Sequence, residues 1–170
     1  MAPRAAARLE SLGFGKVFEY SAGKLDWLAA GKPTEGENSK RPRAGDVARK
    51  DAIVCGLKDT LADVRERAIG ADWDVAVVVD EAGVVLGLLR SEQLESEPPG
   101  PRVEEAMRPG PSTFRPYVPI KEMADYLVEH QLDSVPITTS AGKLVGVLRK
   151  ADATRQAASG SAAVRRMITS

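Results

Sequence analysis

"GKLVGVLRKADA", Gly142 to Ala153, decides the fold because it has a near-copy upstream, "GVVLGLLRSEQL", Gly83 to Leu94. The copies align without a gap: Gly87 and Gly146 are 59 positions apart (146 − 87), as are Asp74 and Asp133 (133 − 74). Such a fixed offset marks an internal repeat. Working outward, each copy shows the same alternation of periods. In the second, "STFRP" reads as a short strand. Ile120, Met123, Ala124, Leu127 and Val128 then fall at helical spacing after Pro119. "SVPIT" and "KLVGVL" form a hairpin around "TSAG", with Gly142 placed for a positive φ, and "RKADATRQAA" closes as a helix. The first copy repeats this: strand "AIVC", a helix through Leu61, Val64, Ala68 and Ile69, strands "VAVVV" and "VVLGLL" around "DEAG", then "SEQLE". The order is βαββα, twice. Neither half has enough apolar surface alone, so the two should pack their helix-covered sheets together in one α+β unit with pseudo-two-fold symmetry.

Composition narrows the function. The 170 residues carry 24 basic and 24 acidic side chains. That balance gives no field strong enough to grip nucleic acid or a membrane non-specifically. No apolar run approaches the roughly 20 residues of a membrane helix, and "MAPRAAARLE" lacks the apolar stretch of a secretory signal, so the expected compartment is the cytoplasm. One cysteine, Cys55, and one histidine, His130, provide neither a disulfide, nor a zinc site, nor a catalytic pair; no catalytic residue and no metal ligand is expected. Polar, Gly- and Pro-rich stretches punctuate the chain. The expected division is an N-terminal segment over 1–36, a linker over 37–46, repeats over 47–97 and 103–159, and a tail over 160–170.

With "DSVPI", a Gly turn and "GKLVGVLRKAD" in order, and "VEEAM" opening the second copy, the tandem resembles a pair of CBS domains, a Bateman module. The resemblance implies a regulatory, non-catalytic module with no required cofactor. It implies that an adenosine derivative (AMP, ADP, ATP or S-adenosylmethionine) binds in a cleft between the repeats, and that a homodimer forms through the helices. In that family an acid at the end of the stretch after the third strand accepts hydrogen bonds from both ribose hydroxyls, a role that suits a charged, accept-only carboxylate. Asp152 stands there in the second copy; Gln93 stands there in the first, so the first site should be the weaker. By the same carry-over Ser112, Thr113, Asp133, Ser134, Val135 and Pro136 would line the second-copy site, with Ile53, Val54, Val75 and Ala76 at matching positions in the first. Val77 replaces the proline. Arg149 and Arg90, at one register, replace the family's small hydroxyl: either they face phosphates or they fill the phosphate sites and close them. Arg115 and Lys150 are further phosphate candidates. Asp152 also has a plain reading, an acid in the first turn of a helix. The alternative function is a dimerisation or docking domain with vestigial clefts.

The first 36 residues read differently. "AAARLESLGF", "KVFEY" and "SAGKLDWLAAG" suggest helix, strand and helix, with Phe14 and Trp27 as anchors and Leu28 buried. They resemble the C-terminal end of a rhodanese domain without its cysteine loop, which implies a remnant with no sulfurtransferase activity.

Overall fold

Two valine-rich hairpins dominate the computed structural model, which describes residues 2–18, 27, 28, 32, 33, 35, 36, 41–71, 73–95 and 102–168, with side chains described to 159. In the first repeat β1 (Ile53–Gly56) runs parallel to β2 (Val75–Val79), and α3 (Leu61–Ala68) connects them. The Thr60 hydroxyl starts that helix by accepting the Asp63 amide at 3.2 Å. β2 returns antiparallel as β3 (Val85–Arg90), and α4 (Ser91–Glu95) follows. In the second repeat α6 (Ile120–Glu129) leads to β5 (Ser134–Thr138), which pairs antiparallel with β6 (Leu144–Arg149) before α7 (Lys150–Ile168). Both hairpins slip register at twin places, Val78/Val79 and Ile137/Thr138. Both turn at twin glycines, Gly83 (φ +80°) and Gly142 (φ +77°), as the turn chemistry predicts.

The repeats trade segments. Before each lies a short helix, α2 (Ala44–Val47) and α5 (Val103–Ala106), and each docks on the other repeat. The Ala44 amide donates to Val118 O at 2.8 Å and the Gly45 amide to Pro116 O at 2.9 Å. The twins do the converse, Val103 to Asp59 O at 3.0 Å and Glu104 to Leu57 O at 3.2 Å. Just beyond, Arg49 exchanges two backbone bonds with Val147, both 2.9 Å, while β4 (Arg108–Pro109) pairs with Gly87 and Leu88 of β3. This exchange explains the repeated glycines. A Cβ on Gly146 would sit 2.6 Å from Arg49 O, and one on Gly87 would sit 2.6 Å from Met107 Sδ and 3.0 Å from Arg108 O. On the pseudo-axis itself Val84 pairs with Lys143, through Val85 N to Gly142 O at 3.0 Å and Leu144 N to Gly83 O at 2.9 Å.

Two apolar clusters result. The first gathers Ile53, Cys55, Leu61, Val64, Val75–Val78, Leu88 and Leu89, and takes in Val103 and Val147 from beyond the repeat. The second gathers Ile120, Met123, Ala124, Leu127, Val135, Ile137, Leu148 and Ala153, closed by Ala44. Within the first, burial lifts the Cys55 thiol to about 11, and its sulfur sits 3.7 Å from Val77 O. The native chain should therefore resist alkylation by iodoacetamide at pH 8 and react within minutes in urea; equal rates would contradict this packing.

Several expectations need correction. "STFRP" forms no strand: Phe114 alone joins the ladder, beside Ile137, because Pro111 and Pro116 flank it and have no N–H to donate. Ile69 is 75% exposed, since the chain leaves the helix at Ala68, and Val128 is 58% exposed at its helix edge. Arg43, Ala44 and Gly45, within the expected linker, are tied to the second repeat, and α7 runs to Ile168 through the expected tail. In the N-terminal segment α1 (Ala2–Ser11) forms and Gly13 follows at φ +90°. Lys16 to Phe18 are not in a strand; Glu19 and Tyr20 lie outside the described residues. Phe14 is 59% exposed, with no strand beside it among the described residues. Trp27 and Leu28 are half-buried, and the Trp27 indole N–H donates to Pro33 O at 2.8 Å.

Candidate functional site

Between the repeats a cavity of about 150 Å³ is lined by Ser112, Leu132, Val135 and Pro136 of the second, Leu88 and Arg90 of the first, and Arg108, Pro109 and Pro111 of the exchanged segment. Backbone geometry puts them there. β4 lays Arg108 and Pro109 along Leu88 and Gly87, so that strand contributes Arg90 to a wall completed by the start of β5. Ser112, Val135 and Pro136 thus meet at one cavity. Leu88, Leu132, Arg108, Pro109 and Pro111 were not foreseen.

The arginines are placed otherwise than their repeats suggest. Arg90, grouped with the first-copy positions, lines the cavity beside the second-copy residues. Arg149, grouped with the second copy, stacks on Trp73 of the first, its Cζ 4.1 Å from the ring centroid. Arg49 approaches the same ring at 4.9 Å, and Asp51 holds it through bonds of 3.0 and 2.5 Å. The Arg49 guanidinium in turn keeps the Asp51 carboxyl below the usual carboxylate range. Each arginine crosses because the pseudo-axis sets the end of one repeat's last strand against the other repeat.

The remaining candidates scatter. Asp152 lies in the first turn of α7, and its carboxylate bonds Arg155 one turn on; it does not line the cavity. Asp133 pairs with Lys150 at 2.5 Å, which occupies that phosphate candidate. Arg115 is bound to Thr138 Oγ1 at 2.6 Å and Thr139 O at 2.5 Å. Thr113 is half-buried off the cavity, while the Ser134 hydroxyl is buried and finds no partner among the described residues. In the first copy Ile53, Val75 and Ala76 belong to the core, Val54 faces out, and Gln93 Oε1 accepts the Arg90 amide at 3.0 Å. Among the described residues no His, Cys, Asp and Glu group could hold a metal, and no helix is long and apolar enough to cross a membrane.

This arrangement, a crevice between pseudo-symmetric halves that lend each other short segments, can be compared with known proteins. Residues 103–159 match the CBS domain family. The fold is that of a CBS-domain pair, as three solved structures show. CBSX2 in complex with AMP superimposes with a TM-score of 0.62 at 21% identity, over 69% of this chain and 97% of that one. The cytosolic domain of the Mg²⁺ channel MgtE in complex with ATP gives 0.61 at 24%, over 69% of this chain and 50% of that one. The CBS domain pair of MJ0100, in complex with 5′-methylthioadenosine and S-adenosyl-L-methionine, gives 0.60 at 19%, over 68% and 94%. Curated protein sequences give no match. Within the CBS pair, the open cavity adjoins the second repeat and the tryptophan stack adjoins the first.

Proposed function

We propose that the chain is a non-catalytic regulatory module that binds an adenine nucleotide, AMP, ADP or ATP, in the cavity beside its second CBS repeat. One observation carries the reading: two guanidinium groups, Arg90 and Arg108, line a crevice between the repeats that is apolar apart from them and Ser112. A cavity of about 150 Å³ takes a single flat ring system, not a whole nucleotide, which needs roughly 300 Å³ or more. The base therefore enters among Leu132, Val135 and Pro136, and ribose and phosphates lie in the open cleft. Glu92 pairs with Arg108 and offsets one of the two charges, so the net field is about that of one guanidinium. Arg108 is 59% exposed, and a charge pair at so exposed a site is worth about 0.2–1 kcal/mol. A phosphate gains it and a sulfonium loses it, which ranks the nucleotides above S-adenosylmethionine. Asp152, freed from Arg155, is the proposed ribose clasp.

Nucleotide at about 100 times its dissociation constant should add roughly 2.7 kcal/mol to stability, a rise in melting temperature of about 5–10 °C. Arg90→Gln and Asp152→Ala should each weaken binding at least about tenfold, as loss of one charge-assisted bond does, and Gln93→Ala should leave it intact. A screen of AMP, ADP, ATP, NADH and S-adenosylmethionine with no shift would overturn the reading. It would favour instead a homodimerisation domain, for which Ile69 and Val128, exposed at twin positions, offer apolar contact. The rhodanese-like reading of residues 1–36 rests on their motifs and stands as a proposal beside this one.

A further inference from the structure

We propose that Trp73 is a built-in occupant of the first cleft, holding with its indole the place that a ligand's flat base would take, so that the chain has one open site and one closed by itself. The 59-residue offset carries the argument. Leu132, Arg90 and Arg108 line the open cavity. Their twins are Trp73, Arg149 and Arg49, and these three are stacked together, guanidinium carbons 4.1 and 4.9 Å from the indole centroid. The indole is 9% exposed, and its Nε1 has no hydrogen-bond partner among the described residues. It is therefore held by its faces, through cation–π attraction and packing, as an aromatic guest would be. Where the second repeat spends a leucine, the first spends a bicyclic ring, and the added ring fills the twin space. The stack is also a template: it assigns to Arg90 and Arg108 the faces of a planar heteroaromatic, not the phosphates alone.

The nucleotide half of the test rests on the function proposed above; the indole half does not. Trp73→Leu, which copies the residue at 132, and the more severe Trp73→Ala should bind free indole or adenine at millimolar concentration. Their melting temperatures should rise by several degrees while the parent chain stays unmoved. Isothermal titration of Trp73→Leu with AMP should give two sites per chain where the parent gives one. Leu132→Trp should keep the fold and lose the parent's AMP site. A folded Trp73→Leu that responds to neither indole nor adenine would overturn the proposal, as would a parent chain that already binds two AMP. If the parent binds no AMP but Trp73→Leu takes up indole, the nucleotide reading falls and the built-in occupant stands.

Discussion

Gly146→Ala is expected to destabilise the chain by about 3 kcal/mol, lowering its melting temperature by about 6–12 °C, while Gly87→Ala costs about 1 kcal/mol. The two glycines are twins, and only their neighbours separate them. The methyl group on residue 146 would meet Arg49 O at 2.6 Å and Ala48 Cβ at 3.2 Å, backbone and near-backbone atoms tied into the ladder by two 2.9 Å bonds to Val147. Relief requires prising that segment off β6. At residue 87 the nearest atom is Met107 Sδ, the end of a flexible side chain that can swing, and the closest backbone atom, Arg108 O, is 3.0 Å away. The gain from stiffening the unfolded chain, about 0.4–1 kcal/mol, further offsets the second change. Equal losses in urea melts of the two variants, or the reverse order, would refute the exchanged-segment geometry.

Shortening the chain should have the larger effect, and on the half far from the cut in sequence. A fragment of residues 41–170 should melt like the parent; one of 51–170 should fail to fold cooperatively. The second cut removes Pro42, Ala44, Gly45 and Arg49, which between them make five backbone hydrogen bonds of 2.8–3.0 Å with Val118, Pro116, Val147 and Ile120. At about 1 kcal/mol each, that is about 5 kcal/mol, the low end of what holds a whole domain together. Buried Ala44 goes too, leaving the second cluster open. Hydrogen exchange should show the Ile120 and Val147 amides losing protection before the amides of β2. Protection lost first in the adjacent first repeat would mean that the segments do not cross.

Periodicity made the βαββα order legible in the first repeat and its αββα part in the second, since apolar residues at i, i+3, i+4 and i+7 suit a helix and the valine runs suit strands. The exchange of segments was not legible. It is made by backbone amides and carbonyls, which leave no mark on side-chain pattern; only Gly87 and Gly146 hinted at a close approach, without naming what approaches. For the same reason side-chain pattern groups each arginine with the repeat that encodes it, and does not show that it lies against the other one. "STFRP" carries strand propensity, but the prolines around it cannot supply the ladder's donors. Setting residue 73 against residue 132 shows the one place where twin cleft positions differ by an aromatic ring system. Asp152 shows the limit of carrying over a motif, since the acid is where the pattern puts it while Arg155, three residues on, competes for it.

Because Arg90 lines the cavity beside the later half and Arg149 stacks on Trp73 of the earlier one, neither copy can drift alone. A change that suits one half's own stability alters the packing of its sibling, so the duplicated halves must evolve as an interdependent pair, and grafting either one onto another scaffold would leave its neighbouring arginine behind.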